Sequence, residues 1–537
     1  MRSENRNIIT ALMLSILVYL GFNAFFKPSK LDEKAQAHKV EQVESVKTLE
    51  LERDKALKLS KRASFETSDY QGSIDTNTGL LDDLTLKSYK ETTDKDSESV
   101  KLLNPMDAKG AFYIEFAPQE LDSASKLIPD FKLLSKSKNK VILLGQNDSY
   151  AIKRTYTFDQ NYRIRVKDEV TNKTITAKKL RGYSGIFRLG EPKTENANIL
   201  HEGVIGVVGD SLEELTYKSL AKTKRFSKET NNGWLGFTDK YFMTTFLMKD
   251  KASVTAEKME NGYNAKVYSS VYIAQPKETI SIQYDVFSGP KELKLLERIQ
   301  TEEGIKKFDL AVDFGWFYFL TKPTLKLLTW LNEMFSSFAL ALIVITILLK
   351  LIAFPMSVKA YRSMKGMKNL QPKIEAIKAK FVGDKVREHQ EMMMLYQREG
   401  IRPTAGCLPI LLQAPIFFVL YKVLYITIEM RHAPFWGWVH DLSAPDSLYV
   451  ANLFGLLNFS VPYFLQIGLW PLLMGVSMYM QQKSAPVSDP AQERAMLMMP
   501  VMFVFLFSGF PAGLVIYWTL SNILTVFQQT VITKYFD

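Results

Sequence analysis

The C-terminal part of this chain is dominated by apolar runs of the length that crosses a lipid bilayer. The clear runs are residues 338–354, 407–428, 467–480, 496–510 and 513–533, and Pro355 is expected to end the first of them. About 20 apolar residues in a helix span the roughly 30 Å hydrocarbon core. Because backbone polar groups in lipid must bond within the protein, residues 337–533 are predicted to form a five-span helical bundle.

A further apolar run lies close to the N-terminus. Residues 8–26 form a 19-residue apolar stretch, and Arg2 and Arg6 precede it. A cleaved signal peptide is one interpretation, but the exit Asn23-Ala24-Phe25-Phe26-Lys27 lacks the small-x-small pattern of a cleavage site. We therefore expect residues 1–26 to be an uncleaved transmembrane anchor.

The charges of the connecting segments predict the orientation of these spans. Residues 356–406 contain eleven Lys and Arg residues, whereas residues 429–466 contain Arg431 alone. Positive charge favours the cytoplasmic side of a membrane. The prediction is a multi-pass membrane protein with both termini cytoplasmic and residues 27–335 outside, across the membrane from the cytoplasm.

The segment between the anchor and the bundle has the composition of a soluble protein. Residues 27–62 are rich in Lys, Glu and Ala and are predicted to be a charged linker. Alternating apolar and polar residues recur at 111–116, 140–144, 162–166, 265–272 and 280–284. Turn signals at Thr171-Asn172-Lys173, Asn231-Asn232-Gly233 and Asn261-Gly262 are expected to separate strands. Residues 63–300 are thus predicted to form a β-sandwich outside the cytoplasm.

Nothing in the sequence indicates covalent catalysis. His201-Glu202 is the adjacent acid/base pair that stands out, and we interpret it as a surface turn. There is no G-x-S-x-G, phosphate loop or cluster with metal-ligand spacing, so the chain is predicted to be no enzyme and to bind no cofactor. The single Cys407 forbids an intramolecular disulfide. The net charge of +11 is assigned to topology and anionic lipid headgroups, and no nucleic acid is expected as a partner.

Two amphipathic segments flank the first span of the bundle. In residues 301–336 a helix is expected to begin at Pro323, with Leu325, Leu328, Leu331 and Phe335 on one face. We interpret it as an interfacial helix on the outer leaflet; a core helix of the β-domain is the alternative.

The cytoplasmic segment 356–406 is predicted to be a helical hairpin. Pro372 can open the first helix, Gly383-Asp384 can break it, and Gly400 can end the second. Three consecutive methionines lie in the second helix: Met392, Met393 and Met394. They form either a soft surface that contacts clients or partners, or simply the packing of the hairpin.

The most informative residue of the bundle is a lysine inside an apolar run. Lys350 lies in the first span with Thr346 one turn earlier, and Gln413 of the next span can approach that face. The last span adds Thr519, Ser521, Asn522, Thr525, Gln528 and Gln529. Because a lysine at mid-membrane costs about 3 kcal/mol, Lys350 either lines a polar, positively charged groove or snorkels to the cytoplasmic headgroups.

Three function classes fit these residues. The clear spans contain no acidic residue or histidine of the kind that couples proton transport, and no inverted repeat is evident. This favours passive help in moving a polar segment across the bilayer. A small-solute transporter or channel is the alternative, and a scaffold anchored by the bundle is a third.

Five groups of residues spread along the chain then point to one family. They are Val312-Asp313-Phe314-Gly315-Trp316, Leu370-Gln371-Pro372-Lys373, Gly406-Cys407-Leu408-Pro409 with Gln413-Ala414-Pro415-Ile416-Phe417, His440-Asp441-Leu442-Ser443, and Phe510-Pro511-Ala512-Gly513-Leu514-Val515-Ile516-Tyr517-Trp518 with Ser521-Asn522. Together they resemble the YidC-type insertases of the bacterial inner membrane, in the Gram-negative form with a large periplasmic domain. The resemblance implies that the chain lies in the bacterial inner membrane, with residues 27–335 periplasmic and a super-sandwich-like β-sandwich at residues 63–300.

The resemblance implies a membrane protein insertase and chaperone that helps inner-membrane proteins insert, fold and assemble, alone or with the Sec translocon. It implies a client-binding groove formed by Lys350, Thr346, Gln413, Ser521 and Asn522. Many members have Arg at the position of Lys350. It also implies a hydrophobic slide for client helices, formed by Phe417, Tyr517 and Trp518.

The implied partners are nascent inner-membrane proteins, membrane lipids, the Sec translocon, and the ribosome with signal-recognition components. Some members contact the ribosome through a long basic tail. Few residues follow the last predicted span here, so we do not expect contact through such a tail.

Overall fold

The computed structural model describes residues 51–192, 200–315, 317–400, 408–462, 465–484 and 490–535. The described residues up to Asp313 form one compact unit, here called the β unit, and those from Phe314 onward form a second, the helical unit. The predicted anchor 1–26 and most of the predicted linker 27–62 lie outside the described residues.

The β unit contains sixteen strands within the described ranges. The first eight are β1 (Arg62–Glu66), β2 (Tyr70–Asp75), β3 (Leu81–Lys90), β4 (Ser99–Leu103), β5 (Phe112–Glu120), β6 (Phe131–Ser137), β7 (Lys140–Gln146) and β8 (Tyr150–Phe158). The others are β9 (Arg163–Asn172), β10 (Lys178–Leu189), β11 (Gly203–Val208), β12 (Ser211–Thr216), β13 (Arg225–Thr238), β14 (Phe242–Met259), β15 (Gly262–Ala274) and β16 (Thr279–Pro290). Each of the five alternating runs named above coincides with a strand, which confirms the prediction of strands there, although Ala111 and Tyr162 lie one residue before β5 and β9.

Antiparallel hydrogen bonds join these strands into one sheet. Its main path runs β1-β2-β3-β5-β10-β15-β14-β16-β9-β8-β7-β6, with β4 beside β3 and β11, β12 and β13 branching from β14. The sheet folds over on itself, because the ring of Phe65 in β1 stacks on Phe158 in β8 with centroids 3.7 Å apart. The result is a layered β-rich core made from a continuous sheet, a feature that alternation alone does not predict.

One predicted turn is wrong. Asn231-Asn232-Gly233 was expected to separate strands, but it lies inside β13, where the register with β14 shifts between Asn231 and Gly233. Asn232 takes a left-handed conformation, with φ of 68°. Asparagine tolerates that conformation both in turns and at β-bulges, so the local sequence could not distinguish the two. The other two predicted turns do lie at strand ends.

Three short helices complete the β unit: α1 (Arg53–Leu57), α2 (Tyr217–Thr223) and α3 (Leu293–Glu303). A 3-10 turn follows α3 at Phe308–Ala311. Helix α3 buries Leu293, Leu295, Leu296 and Ile299, a spacing that places leucine and isoleucine on one helical face.

The helical unit contains α4 (Tyr318–Phe335), α5 (Phe338–Asn369), α6 (Gln371–Lys380), α7 (Lys385–Arg398), α8 (Leu408–Ile426), α9 (Leu469–Ser484), α10 (Pro490–Phe507) and α11 (Ala512–Tyr535). Helix α5 is the described helix that is long and apolar enough to cross a membrane, with a mean hydropathy of 2.6 in its most apolar window. Shorter apolar stretches occur at Gln413–Ile426 and Met496–Phe507.

Two predictions about proline need correction. Helix α4 begins at Tyr318, five residues before Pro323, and Phe335 is 37% exposed although Leu325, Leu328 and Leu331 are buried as expected. Helix α5 does not end at Pro355 but continues to Asn369. An internal proline removes one backbone hydrogen bond and kinks a helix, and neither effect forces the helix to stop.

The helices predicted for the cytoplasmic hairpin are both present. Helix α6 has Pro372 in its first turn, and α7 begins after Asp384, whose carboxylate accepts a hydrogen bond from the Arg387 backbone N–H at 3.1 Å. The ends of the two helices are joined by an exposed ion pair, with Lys373 Nζ 2.7 Å from Glu399 Oε1.

Candidate functional site

Lys350 faces the last helix of the unit. Its ammonium group donates a hydrogen bond to Thr525 Oγ1 at 2.8 Å, and the Gln528 amide donates to the Lys350 backbone carbonyl at 3.0 Å. The next two side chains on α5, Leu351 and Ile352, are 61% and 75% exposed. The charge is therefore directed into the α5–α11 interface, while the apolar side chains occupy the outer surface of the helix.

No carboxylate forms an ion pair with Lys350 among the residues described here. A buried or half-buried ammonium is normally compensated by an opposite charge. Here a threonine hydroxyl is its hydrogen-bond partner, so the positive charge stays available to an incoming anion.

Thr346 is fully buried, and its hydroxyl donates to the Leu342 carbonyl of the same helix at 2.6 Å. Gln413 of α8 donates from its side-chain amide to the Tyr517 hydroxyl of α11 at 2.6 Å. The structure thus brings Lys350 and Gln413 against the same helix α11, but against different side chains of it.

Ser521 and Asn522 are both 4% exposed. The Asn522 amide donates to Ser477 Oγ on α9 at 3.0 Å, and Ser477 in turn donates to the Met474 carbonyl. Asn522 thus belongs to a polar contact between α9 and α11, on the other side of α11 from Gln413. Such interhelical hydrogen bonds stabilise helix packing in membranes by about 0.6 kcal/mol on average.

The three aromatic residues predicted for the hydrophobic slide differ in exposure. The rings of Phe417 and Trp518 pack edge to face, 5.1 Å apart, in a cluster that includes Phe503 and Phe507 of α10. Tyr517 is 2% exposed. The strongly exposed aromatic rings of α8 and α11 are Phe418 at 45%, Phe527 at 65% and Tyr535 at 69%, the last at the C-terminal end of α11.

The three methionines of α7 also separate. Met393 and Met394 are 39% and 52% exposed, whereas Met392 is half-buried. The half-buried Met392 is consistent with packing of the hairpin, whereas the exposed Met393 and Met394 are accessible for contact with clients or partners.

The sequence did not single out four residues of the helical unit. Thr525 and Gln528 are two of several polar residues on the last span, and no local pattern distinguishes them as partners of Lys350. Thr525 does follow Ser521 by one helical turn and shares its face. Ser477 gave no local signal, because a serine in an apolar helix is common. The sequence also gave no signal for Lys422 of α8. Its Cε atom would lie 3.1 Å from a Cβ placed on Gly315, which has a φ of 65°.

The prediction that His201-Glu202 is a surface turn is wrong. Both residues are half-buried, His201 Nε2 lies 3.0 Å from the Val204 carbonyl oxygen, and the His201 backbone N–H donates to Asp313. Glu202 Oε2 is buried without a hydrogen-bond partner in the described part of the chain. Burial, with the nearby Asp239 carboxylate, raises the pKa of Glu202 to about 7.

Within the described ranges, no group of three or more His, Cys, Asp and Glu side chains is arranged to hold a metal ion. The polar groups described around Lys350 and along α11 are a lysine, hydroxyls and amides. They can attract an anion and exchange hydrogen bonds with a polar chain, and they include no activated nucleophile.

Known proteins match this chain over almost its whole length. Residues 62–327 match the family model described as "YidC periplasmic domain", and residues 330–537 match "60Kd inner membrane protein". A protein named "Membrane protein insertase YidC" from Beijerinckia indica is 37% identical over 585 aligned residues, covering 99% of this chain and 96% of that protein. One of the same name from Brucella suis is 40% identical, covering 90% and 82%.

A structure search finds "Active YidC insertase crystal structure with the first transmembrane domain resolved", at 17% identity with a TM-score of 0.37, covering 89% of this chain and 93% of that one. The assignment rests on the sequence matches, which comprise a periplasmic domain followed by an inner-membrane region. The relatives are named as insertases and not for a covalent reaction. The chain belongs to the YidC family of membrane protein insertases.

Proposed function

We propose that this protein inserts inner-membrane proteins into lipid, and that the client's polar segment is attracted by the charge of Lys350. The observation that carries the proposal is the hydrogen bond from Lys350 to Thr525 at 2.8 Å on a neighbouring helix. It holds a positive charge inside the helical unit without an acidic partner in the described residues. An acidic client segment would supply that partner.

The geometry around Lys350 argues against snorkelling. A snorkelling lysine extends along its own helix toward the headgroups. Here the ammonium group bonds sideways to α11, and Gln528 of α11 bonds back to the Lys350 carbonyl at 3.0 Å. Two contacts to one neighbouring helix favour an inward-facing charge, as the groove requires.

The groove in this proposal is lined by Lys350, Thr346, Gln413, Ser521 and Asn522, with Thr525 and Gln528 added from their contacts with Lys350. Several of these side chains already bond within the unit. A client segment would exchange these hydrogen bonds for its own, so the polar chain crosses without losing all of its partners at once. That exchange lowers the desolvation cost of a polar segment in lipid.

The apolar part of a client is proposed to leave along α8 and α11. Phe417 and Trp518 form the aromatic contact between these helices and α10, and Tyr517 lies beside them. The exposed Phe418 and Phe527 extend this surface outward. A client helix sliding along it would pass from aromatic side chains directly to lipid chains.

The membrane arrangement belongs to the same proposal. Helices α5, α8, α9, α10 and α11 are proposed as five spans, with residues 1–26 as a sixth, both termini cytoplasmic and residues 27–335 periplasmic. The support is the charge asymmetry between residues 356–406 and 429–466. The exposed Met393 and Met394 on the cytoplasmic hairpin are then placed to contact clients or targeting factors.

Cooperation with the Sec translocon, and contact with the ribosome and signal-recognition components, are proposed from the family resemblance. Co-purification of the full chain with each of these partners from detergent-solubilised membranes tests them, with the hairpin variant Met393→Ser, Met394→Ser as the comparison for the cytoplasmic partners.

Insertion of a single-span client with an acidic leading segment into liposomes tests the charge. We expect Lys350→Arg to retain insertion, and Lys350→Ala and Lys350→Glu to lose it by about tenfold, the factor that 1.36 kcal/mol of barrier gives. The matched control is Lys359→Ala, which removes one positive charge from an exposed position of the same helix.

A client with a neutral leading segment should respond less to Lys350→Ala than the acidic client does. Equal insertion of the acidic client by all variants would refute the role of the charge. Solute flux through the purified protein, without stimulated insertion, would instead support the transporter.

A further inference from the structure

One acidic residue of the helical unit lies outside the site described above and is almost completely enclosed. Asp446, in the segment between α8 and α9, is 3% exposed. No Lys, Arg or His of the described residues forms an ion pair with it. A buried carboxylate in such a place requires a structural reason, because taking it out of water is unfavourable unless hydrogen bonds replace the water.

Three N–H groups converge on this carboxylate. Its Oδ1 accepts from the Trp438 indole at 2.9 Å and from the Leu448 backbone at 3.0 Å, and its Oδ2 accepts from the Trp470 backbone at 2.7 Å. Only a group that accepts through both atoms satisfies all three donors. A carboxylate does so, whereas an amide must place its NH₂ against one of them.

The Trp470 N–H belongs to the first turn of α9, which begins at Leu469. Asp446 therefore caps α9 from 24 residues earlier in the chain, and its negative charge lies beside the positive end of the helix dipole. The flanking backbone closes the same junction, with the Val450 N–H on the Ile467 carbonyl at 3.0 Å and the Leu469 N–H on the Leu448 carbonyl at 3.1 Å.

Gly468 makes room for this contact. A Cβ placed on Gly468 would lie 2.6 Å from Asp446 Cβ and 2.8 Å from its Oδ2. Any larger residue at position 468 would push the carboxylate away from the start of α9.

The segment that carries Asp446 also holds the start of α11. The Ala512 N–H donates to the Ala444 carbonyl at 2.7 Å, and the Gly513 N–H donates to the Leu442 carbonyl at 3.0 Å. Residues 438–448 thus tie the first turns of α9 and α11 together. We call this segment the end clamp.

The polar side chains of α11 begin a short distance past the end clamp. Thr519, Ser521, Asn522 and Thr525 follow within about four turns of its start, and Asn522 bridges to Ser477 of α9. The end clamp therefore lies at the end of α9 and α11 toward which these polar side chains lead, and its hydrogen bonds join the two helices there.

We propose that Asp446 is a positioning residue that seals the polar interior of the helical unit at the end where α9 and α11 begin. It keeps small ions from crossing while the region around Lys350 admits a client. The inference rests on the proposed function for the polar interior, but the seal is a separate property that is measured without any client.

The test uses the full-length protein in liposomes loaded with potassium. Asp446→Asn and Asp446→Ala should raise potassium leak about tenfold over wild type, because at least one charge-assisted hydrogen bond of the clamp is lost. Gly468→Ala should raise it in the same direction by displacing the carboxylate. The matched control Asp441→Asn removes a charge from the same segment, where the carboxylate accepts from Ser443 alone in the described hydrogen bonds, and should not leak.

A second measurement separates opening from misfolding. In a Cys407→Ala background, Thr519→Cys should react with a membrane-impermeant maleimide added on the side of the end clamp only when Asp446→Asn is also present. Insertion of the acidic client by Asp446→Asn should stay close to wild type, which a misfolded protein would not achieve.

The proposed role of Asp446 would be overturned if Asp446→Asn leaked potassium no faster than wild type and left maleimide labelling of Thr519→Cys unchanged. Loss of insertion and of tightness together, with no labelling of the Cys at 519, would also overturn it, because that pattern indicates a general structural role. If wild type itself inserts no client, the proposed function falls, but the leak comparison still decides the seal.

Discussion

Asp168 and Glu202 of the β unit both have carboxylate oxygens buried in the protein, but within the described residues only Asp168 has a charged partner in an ion pair. Asp168 lies directly opposite Arg154 on adjacent strands, and the two form a bidentate pair with both N–O distances at 2.7 Å. Both side chains are at most 1% exposed. Glu202 has no such partner for its buried Oε2. The two hydrogen bonds from Arg154 offset the cost of burying the first carboxylate, whereas burial raises the pKa of the second.

Glu202 predicts a dependence of stability on pH. Its pKa is about 7 in the folded protein against 4.5 when unperturbed. A raised folded pKa contributes stability that is complete below 4.5 and is lost as pH rises through 7. The Gln of Glu202→Gln does not titrate. The free energy of unfolding of this variant, compared with that of wild type, should therefore rise by about 1 kcal/mol when the pH is raised from about 5 to about 8.

Denaturant unfolding of the β unit, residues 51–313, at both pH values measures this effect. Burial lowers the pKa of the adjacent His201, which acts in the opposite direction, so the comparison of the two proteins isolates Glu202. Glu260→Gln, at an exposed position, is the control. An identical pH response of Glu202→Gln and wild type would contradict the prediction.

Helix packing in the helical unit depends on close approach at small residues. A Cβ on Gly475 of α9 would lie 2.4 Å from Val504 Cγ2 of α10. Val504 is itself buried, and its β-branched side chain has little freedom to turn away. Small residues at such contacts let membrane helices pack tightly.

Gly475→Ala is expected to destabilise the unit by about 1–3 kcal/mol through overpacking. Val504→Ala in the same protein should restore most of that loss by vacating the space. Thermal unfolding in detergent of the two single variants and the double variant measures the coupling between the positions. Additive effects of the two substitutions would show that α9 and α10 do not meet at this point in the working protein.

At the scale of the whole molecule, the β unit and the helical unit are separate compact bodies. The hydrogen bonds that define the candidate groove all lie within the helical unit. The chemistry proposed for insertion therefore does not draw on strands of the β unit.

Deletion of residues 63–289 should accordingly leave most of the insertion activity in the liposome assay. Lys350→Ala in the shortened protein should lower that activity about tenfold, the same loss that is expected in the full chain. The scaffold reading makes the reverse prediction, namely tolerance of Lys350→Ala and failure after the deletion. A shortened protein that folds but inserts no client would contradict the assignment of insertion to the helical unit.

The elements of this protein could largely be predicted from local patterns. Alternation located strands such as β7 and β16, and apolar runs located the helices of the C-terminal unit, because burial on one face of an element leaves a periodic trace in its sequence. The same patterns misjudged Pro323, Pro355 and Asn232, where a residue that often ends or turns an element is also tolerated inside one.

The partners of each side chain were decided by tertiary structure. The sequence determined that Lys350 is a charge inside an apolar helix, and the family motifs determined the class of protein. Only the packing of α5 on α11 selected Thr525, 175 residues away, as the acceptor of its hydrogen bond, and only the approach of Gly468 gave Asp446 its place at the start of α9. Periodicity reports which face of an element is buried, but a contact between distant residues depends on how the elements meet.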